Sequence, residues 1–413
     1  MWGDIAGYLQ VSPWPPALDA VSWSALVLVA GGLLGEAAFR LLGLSRIVGY
    51  SAVGLLIALL GQGPGAGPLT GSLQLIVDLG LGLLLFELGS RVNLRWLRAN
   101  PALLLTSAAE VLLGFAAIFA VLSWLDVEFN TALACATLGV TSSGAVVGRV
   151  AAEFKTAGQV TERMITLTAL NTLMAVLAFR LVIGWLHIDH AGNWVQAISQ
   201  PLYTLGGSVL LAALLTSLVG RASRRLDLRD ENSVLLLLGL IVLALNAARM
   251  LNLSTLLVPL IAGVLLRNTT ERPWVWPRHF GTAGGVLVLI LFVIVGAAWS
   301  LEAVAAGGLL ALALLGARAL GKTVAVVGLA HWSGITVRQG LALALTLTPI
   351  SGTALVLLAE LYAIHPDFAP RLAPIVLGAI AIMELLGPIA VQSALRLAGE
   401  HPAVGRSTTR ERQ

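Results

Sequence analysis

The sequence predicts an all-α integral membrane protein with 13 transmembrane helices. Composition is the first observation behind this: 58% of the 413 residues are hydrophobic and only 11% are charged, with a mean hydropathy of +0.91. A soluble domain carries about 25% charged residues, and a soluble chain this size could not hide so much apolar surface. The second observation is a series of apolar runs near the length of about 20 residues that spans a hydrocarbon core. The third is the sorting of basic residues between those runs, which follows the positive-inside rule.

Taken in order, the first three runs cover 22–42, 46–61 and 72–90. Arg40 and Arg46 fall between the first two, and Arg91, Arg95 and Arg98 follow the third. The fourth to sixth cover 101–124, 129–150 and 160–185, with Arg149, Lys155 and Arg163 in the cytoplasmic segment where the fifth and sixth meet. The seventh to ninth cover 201–220, 233–248 and 253–266; the eighth and ninth are the shortest, and a 12-helix reading competes there. The last four cover 281–299, 304–329, 337–361 and 372–395. With the N-terminus outside, 20 of the 25 basic residues face the cytoplasm, Arg249 and Arg371 lie in outer loops, and Arg180, Arg318 and Lys322 fall inside spans. Residues 1–21 then form a short extracytoplasmic N-terminus without the basic region of a cleavable signal, 22–398 the transmembrane domain, and 399–413 a cytoplasmic tail.

Several function classes are set aside. The pI near 9.7 reflects short basic clusters between spans, without the basic stripe and interleaved aromatics of a nucleic-acid surface. The lone Cys135 allows no internal disulfide and no cysteine metal site. His187 and His190 share an outer loop without metal spacing, so neither metal nor cofactor is expected. No nucleophile–base pair or nucleotide loop supports an enzyme.

Two spans carry polar and helix-breaking residues near mid-membrane. The fifth groups Thr141, Ser142, Ser143 and Gly144; the twelfth groups Thr346, Thr348, Pro349, Ser351 and Gly352. These positions are seven spans apart, so an inverted repeat relating spans 1–6 to 8–13 would match them. Unwound backbone at bilayer depth is tolerated where protein or a water-filled cavity surrounds it, and its half-helix ends present partial charges to ions. The alternative is that the hydroxyls bond their own helix and glycine permits tight packing. Gly31 and Gly35 give a GxxxG on the first span, suited to close helix packing at an interface.

Seven stretches in order resemble the monovalent cation:proton antiporters. They are "SRIVGYSAVGLLIALLGQGPG" (45–65), "LGLGLLLFELGSRVNLRWLR" (79–98), "TSSGAVVGRVAAE", "LNLSTLLVPLIAGVLLRN" (251–268), "FVIVGAAWSLEAV" (292–304), "ARALGK" (317–322) and "LTPISGTALVL". The resemblance implies an inverted-repeat antiporter fold with crossed, unwound fifth and twelfth helices. It also implies a homodimer in an inner cell membrane, with a mobile core bundle (about 101–186 and 304–398) working against a dimer domain. It implies monovalent cations and protons as substrates, exchanged by alternating access. The family's key residue is a sixth-span aspartate in an Asn-Asp or Asp-Asp pair, which holds cation or proton in turn. Here Asn171 stands at the first position and Thr172 replaces the aspartate, and no carboxylate lies between Arg163 and Ile188.

Cation:proton exchange would then need an acid from another span, and charged groups inside spans are functional candidates by default. Glu110 lies in the core half with no basic residue in its own span. Glu87 sits in "LLFELGS", four residues from Arg91 and able to pair with it. Glu384 is on the thirteenth span, roughly mirroring Thr172. Glu36 reads as structural, and Asp78 and Glu360, near span ends, are expected to reach water. The ion- or substrate-binding candidates are Thr141, Ser142, Ser143, Asn171, Thr172, Thr348, Glu110, Glu87 and Glu384. Arg318 is the first counter-charge, since the resemblance places a basic residue there. Lys322, four residues on and on the same face, is the second, or else snorkels to the cytoplasmic surface. Without the aspartate, Arg318 needs another neutraliser: Glu110, an anionic substrate or a half-helix C-terminus. Three functions follow: cation:proton antiport with an atypical carboxylate, transport of an anion or neutral solute on the same fold, and a non-transporting sensor or scaffold.

Overall fold

A computed structural model of the chain describes residues 20–61, 71–191, 194–225, 231–269, 280–299, 301–350 and 352–401. The predicted N-terminal segment and most of the C-terminal tail lie outside these residues, as do the side chains of His187 and His190 and the whole of Ser351. Among the described residues the chain is entirely helical apart from turns and short connections. That is what a bilayer demands, because a helix satisfies its backbone donors and acceptors within itself.

The first half holds α1 (Ala20–Leu42), α2 (Arg46–Leu59), α3 (Gly71–Arg91), α4 (Leu94–Ala99), α5 (Pro101–Trp124), α6 (Phe129–Gly139), α7 (Gly144–Glu153) and α8 (Gln159–Ala191). The second holds α9 (Trp194–Arg225), α10 (Glu231–Met250), α11 (Leu257–Thr269), α12 (Phe280–Ala297), α13 (Leu301–Gly328), α14 (Val337–Thr346), α15 (Gly352–Ile364) and α16 (Ala369–Ala398). Among the described residues eight helices are long and apolar enough to cross a bilayer, counting Phe129–Glu153 as one, and five shorter apolar helices lie among them. Leu33, Leu112, Leu210 and Leu309 stand exposed on the outside of the bundle, as lipid-facing side chains should. The chain is a multi-pass membrane protein.

The sequence reading left 91–100 as a basic loop. Its LRWLRA segment instead winds into α4, started by Asn93, whose side chain accepts from the backbone N–H groups of Arg95 and Trp96. α8 and α9 also run past their apolar runs, since helical hydrogen bonding need not stop where hydrophobicity does.

Helix pairing positions the site. α5 packs along α13, α3 along α11, and α2 along α12. The α5–α13 approach is unusually close: a Cβ on Gly321 would stand 2.6 Å from the carbonyl oxygen of Leu113 and 2.9 Å from the Cα of Gly114. Only glycine fits there, and the next residue on α13 is Lys322. The first-span GxxxG works within the chain: a Cβ on Gly35 would strike the Tyr50 ring of α2, and one on Gly31 would meet Leu289 of α12. α3 lies against both polar interruptions, with Leu81 over Gly352 and Leu88 over Gly144. At one end of the bundle the Arg46 guanidinium donates to Glu153 at 2.8 Å and joins the start of α2 to the end of α7.

Candidate functional site

α6 ends at Gly139 and α7 begins at Gly144; α14 ends at Thr346 and α15 begins at Gly352. The interruptions are bonded to one another. The Ser143 backbone N–H donates to the Pro349 carbonyl at 2.9 Å, and the Ser142 hydroxyl donates to the Leu347 carbonyl at 3.0 Å. Ser143 also caps α7, its oxygen accepting from Val146 N–H.

A helix C-terminus leaves carbonyl oxygens without intrahelical partners. Here α6 and α14 both end inside the bundle, and Arg318 of α13 collects their carbonyls. Its Nε donates to Gly139 at 2.7 Å, while its terminal nitrogens reach Thr141, Leu347 (3.0 Å), Thr348 and Pro349 (3.4 Å). The planar five-donor guanidinium suits a fan of acceptors that no ammonium could match. Each helix C-terminus carries about −0.5 charge, so the two together offset one positive charge. Arg318 is thus neutralised by half-helix ends. The threonine hydroxyls keep to their own chain: Thr141 donates to Leu138, Thr346 to Leu343 and Thr348 to Leu345. The backbone carbonyls of Thr141 and Thr348, rather than their hydroxyls, face the cation.

One helical turn along α13, the Lys322 ammonium donates to Glu110 Oε2 at 2.5 Å and to the Ser142 hydroxyl at 2.9 Å. The second oxygen, Glu110 Oε1, accepts from Asn171 Nδ2 at 2.7 Å. Asn171 also donates to the Val140 carbonyl at 3.2 Å and accepts from the Ser142 backbone N–H at 2.7 Å. One amide therefore holds the unwound strand of the fifth span on one side and the carboxylate on the other. Glu110, Lys322, Asn171 and Thr172 are all 0% exposed and Arg318 is 1% exposed, so this arrangement is closed to water. Of the two surroundings that tolerate interrupted backbone at this depth, protein or a water-filled cavity, the structure displays protein. Burying a charge is expensive unless it is paired and hydrogen-bonded, and this carboxylate has a donor on each oxygen.

A family profile described as sodium/hydrogen exchanger, transmembrane, matches residues 25–397. The chain belongs to the sodium/hydrogen exchanger family. Its fold is similar to that of the sodium proton antiporter MjNhaP1 from Methanocaldococcus jannaschii. The structure of that protein at pH 8 superposes with a TM-score of 0.66 at 16% identity, covering 93% of this chain and 99% of the other. An electron-microscopy structure of the same antiporter gives 0.70 at 15% identity, covering 94% and 99%. No curated protein sequence matches the chain.

Within this exchanger-family chain the predicted residues divide into two groups. Ser142, Asn171, Glu110 and Lys322 form one bonded network, with Ser143, Thr141, Thr348 and Arg318 adjoining it. Lys322 does not snorkel to the surface: Glu110 and Ser142 hold it inside. Thr172 is buried with its hydroxyl donating to the Thr168 carbonyl of its own helix. Glu87 lies apart, in a half-exposed pair with Arg91 at 2.6 Å. Glu384 is buried on α16, accepting from the Ser51 hydroxyl of α2 at 3.3 Å. Asp78, expected in water, is buried and paired with Arg249, and Glu360 pairs with the buried Arg180. Sequence reasoning missed the carbonyls of Gly139, Leu347 and Pro349. The signal was there, since a helix broken mid-membrane must expose acceptors and Arg318 is the donor with reach.

Proposed function

We propose that this chain is a cation:proton antiporter in which Glu110 takes over the role of the family's sixth-span aspartate and Lys322 is its exchangeable partner. The observation that carries this reading is the fully buried Glu110–Lys322 pair, 2.5 Å apart beside two interrupted helices. A carboxylate in that position holds one cation at a time. When an external monovalent cation takes the carboxylate, Lys322 loses its partner, releases a proton and stays neutral. When the cation leaves, Lys322 regains the proton and re-forms the pair. Counted with its bound cation, the Glu110–Lys322 unit is neutral in both states, so one proton moves per monovalent cation. Asn171 and Ser142 keep the carboxylate and the unwound backbone in register throughout.

The wider architecture belongs to the same proposal. Eight long and five shorter apolar helices support 13 spans, with α6/α7 and α14/α15 as one broken span each, crossing at the Ser143–Pro349 bond. An inverted repeat, a homodimer, an inner-membrane setting and an N-terminus outside complete it, with the core bundle (101–186 and 304–398) moving against the remaining helices. The anion reading loses its receptor, because the Arg318 donors are committed to backbone carbonyls. The test is proton release: adding Na⁺, K⁺ or Li⁺ to the purified protein in weak buffer should acidify the solution by one proton per bound cation. Wild-type protein that releases none with any of the three would sink the proposal, and release that persists in Glu110→Gln would move the site elsewhere.

A further inference from the structure

A second layer of charge lies beyond the site. Arg180 is nine residues past Asn171 on α8, and Glu360 is eight past Gly352 on α15. At 1.5 Å rise per residue both are about 12–14 Å from the interruptions, on one side. Asp78 is three residues, about 4.5 Å, before Leu81, which packs over Gly352, so it meets this layer from α3 on the side nearer the interruptions. Arg249 joins it from the last turn of α10. The Arg180–Glu360 pair links α8 to α15, and the Asp78–Arg249 pair links α3 to α10. Asp78 is also near enough to Glu360 for the two carboxylates to act on each other.

Each pair leaves one buried atom over. Among the described residues, Asp78 Oδ1 and Arg180 Nε are buried without a hydrogen-bond partner. One is an acceptor on the α3/α10 side and the other a donor on the α8/α15 side. Buried polar atoms are normally satisfied, and an exception asks for an explanation. The two atoms complement each other: a relative shift of the two helix pairs that brings Asp78 to Arg180 satisfies both. Packed interfaces of this kind hold two discrete arrangements rather than a continuum.

We infer that Asp78, Arg249, Arg180 and Glu360 form a charge gate over one face of the site, held shut by the pairs seen here and re-formed as an Asp78–Arg180 pair when that face opens. This rests on the alternating-access reading above. Arg249 and Glu360 serve only the shut state, Arg180 serves both states, and Asp78 does the same. Opening then frees Arg249 and Glu360, both at the margin of the cluster, to face entering water.

The experiment reads accessibility directly. Thr353, buried and seven residues before Glu360, lies on the same face of α15. Thr353→Cys in a Cys135→Ser background gives a single thiol beneath the gate, since Cys135 is the one cysteine of the chain. A membrane-impermeant thiol reagent is applied to each face of the membrane in turn. Glu360→Gln and Arg249→Gln should each speed labelling from a single face by about tenfold, because they remove a partner from the shut state alone. Adding Asp78→Asn to Arg249→Gln should return the rate toward the starting value, since the open state loses its pair while the shut Arg180–Glu360 pair remains; added to Glu360→Gln it should leave the rate unchanged, since each state then loses one pair. Should Glu360→Gln fail to fold, Arg249→Gln reads the same gate. Unchanged labelling in both, equal acceleration from both faces, or further acceleration on adding Asp78→Asn would overturn the inference. Labelling requires no cargo, so such a failure would leave the proton-release test of Glu110 and Lys322 standing.

Discussion

Removing the charge of Lys322 should destabilise the protein, and removing that of Glu110 as well should restore it. At 2.5 Å and an effective dielectric of about 20, the pair attracts by about 7 kcal/mol. Taking two ions out of water costs several kcal/mol for each, so the net contribution of the pair is near zero. Lys322→Met leaves the Glu110 carboxylate buried with Asn171 as its remaining donor, and Glu110→Gln leaves Lys322 with neutral acceptors alone, so that it is held charged at a cost or must give up its proton. Each single change is expected to lower the unfolding free energy by about 3–5 kcal/mol. The double variant Glu110→Gln/Lys322→Met, with no stranded charge, should lie within about 2 kcal/mol of the wild type. The assay is equilibrium unfolding in mixed micelles, or the order of apparent melting temperatures across the four proteins. Additive losses, with the double variant less stable than either single one, would refute the reasoning and mean that the two charges are not each other's partners.

Arg318→Lys should fail to replace the guanidinium: an ammonium cannot reach the five carbonyls in two interruptions, and each charge-assisted bond lost costs about 1.5–3 kcal/mol, visible as a lower melting temperature. Gly321→Val should separate α13 from α5, because its Cβ would stand 2.6 Å from the Leu113 carbonyl oxygen; the same destabilisation as Lys322→Met is expected, without any change of charge. Glu87→Gln should change stability by no more than about 1 kcal/mol and leave transport intact, as befits a half-exposed i,i+4 pair; a transport-dead Glu87→Gln would place the carboxylate wrongly.

The bundle was legible in the sequence because a helix crossing lipid must be apolar along its length, and little else in the chain is. The two interruptions were legible too, since Thr141–Gly144 and Thr346–Gly352 combine helix-breaking residues with hydroxyls in otherwise apolar runs. Partner choice was not legible. Lys322 and Arg318 share a face of α13, and the letters left open both what neutralises Arg318 and whether Lys322 is a second counter-charge or reaches the surface. Their real division depends on where α6 and α14 end in space and on how closely Gly321 lets α13 approach α5. Glu110 and Lys322 are 212 positions apart, and no local periodicity links them. Asp78 was misread for a related reason. Its place near a span end suggests water, but α10 covers it with Arg249. The six-residue α4 escaped notice because its polar sequence gives no spanning signal, while Asn93 supplies its start.

Cation-driven proton flux through liposomes holding the wild-type protein or Glu110→Gln, with Lys322 unaltered in both, bears most directly on whether this carboxylate carries the exchange. Inward Na⁺, K⁺ or Li⁺ gradients should drive protons outward through the wild type and not through the variant, at equal protein incorporation. Equal flux through both, or a wild type silent to all three cations from mildly acid to mildly alkaline pH, would contradict the account.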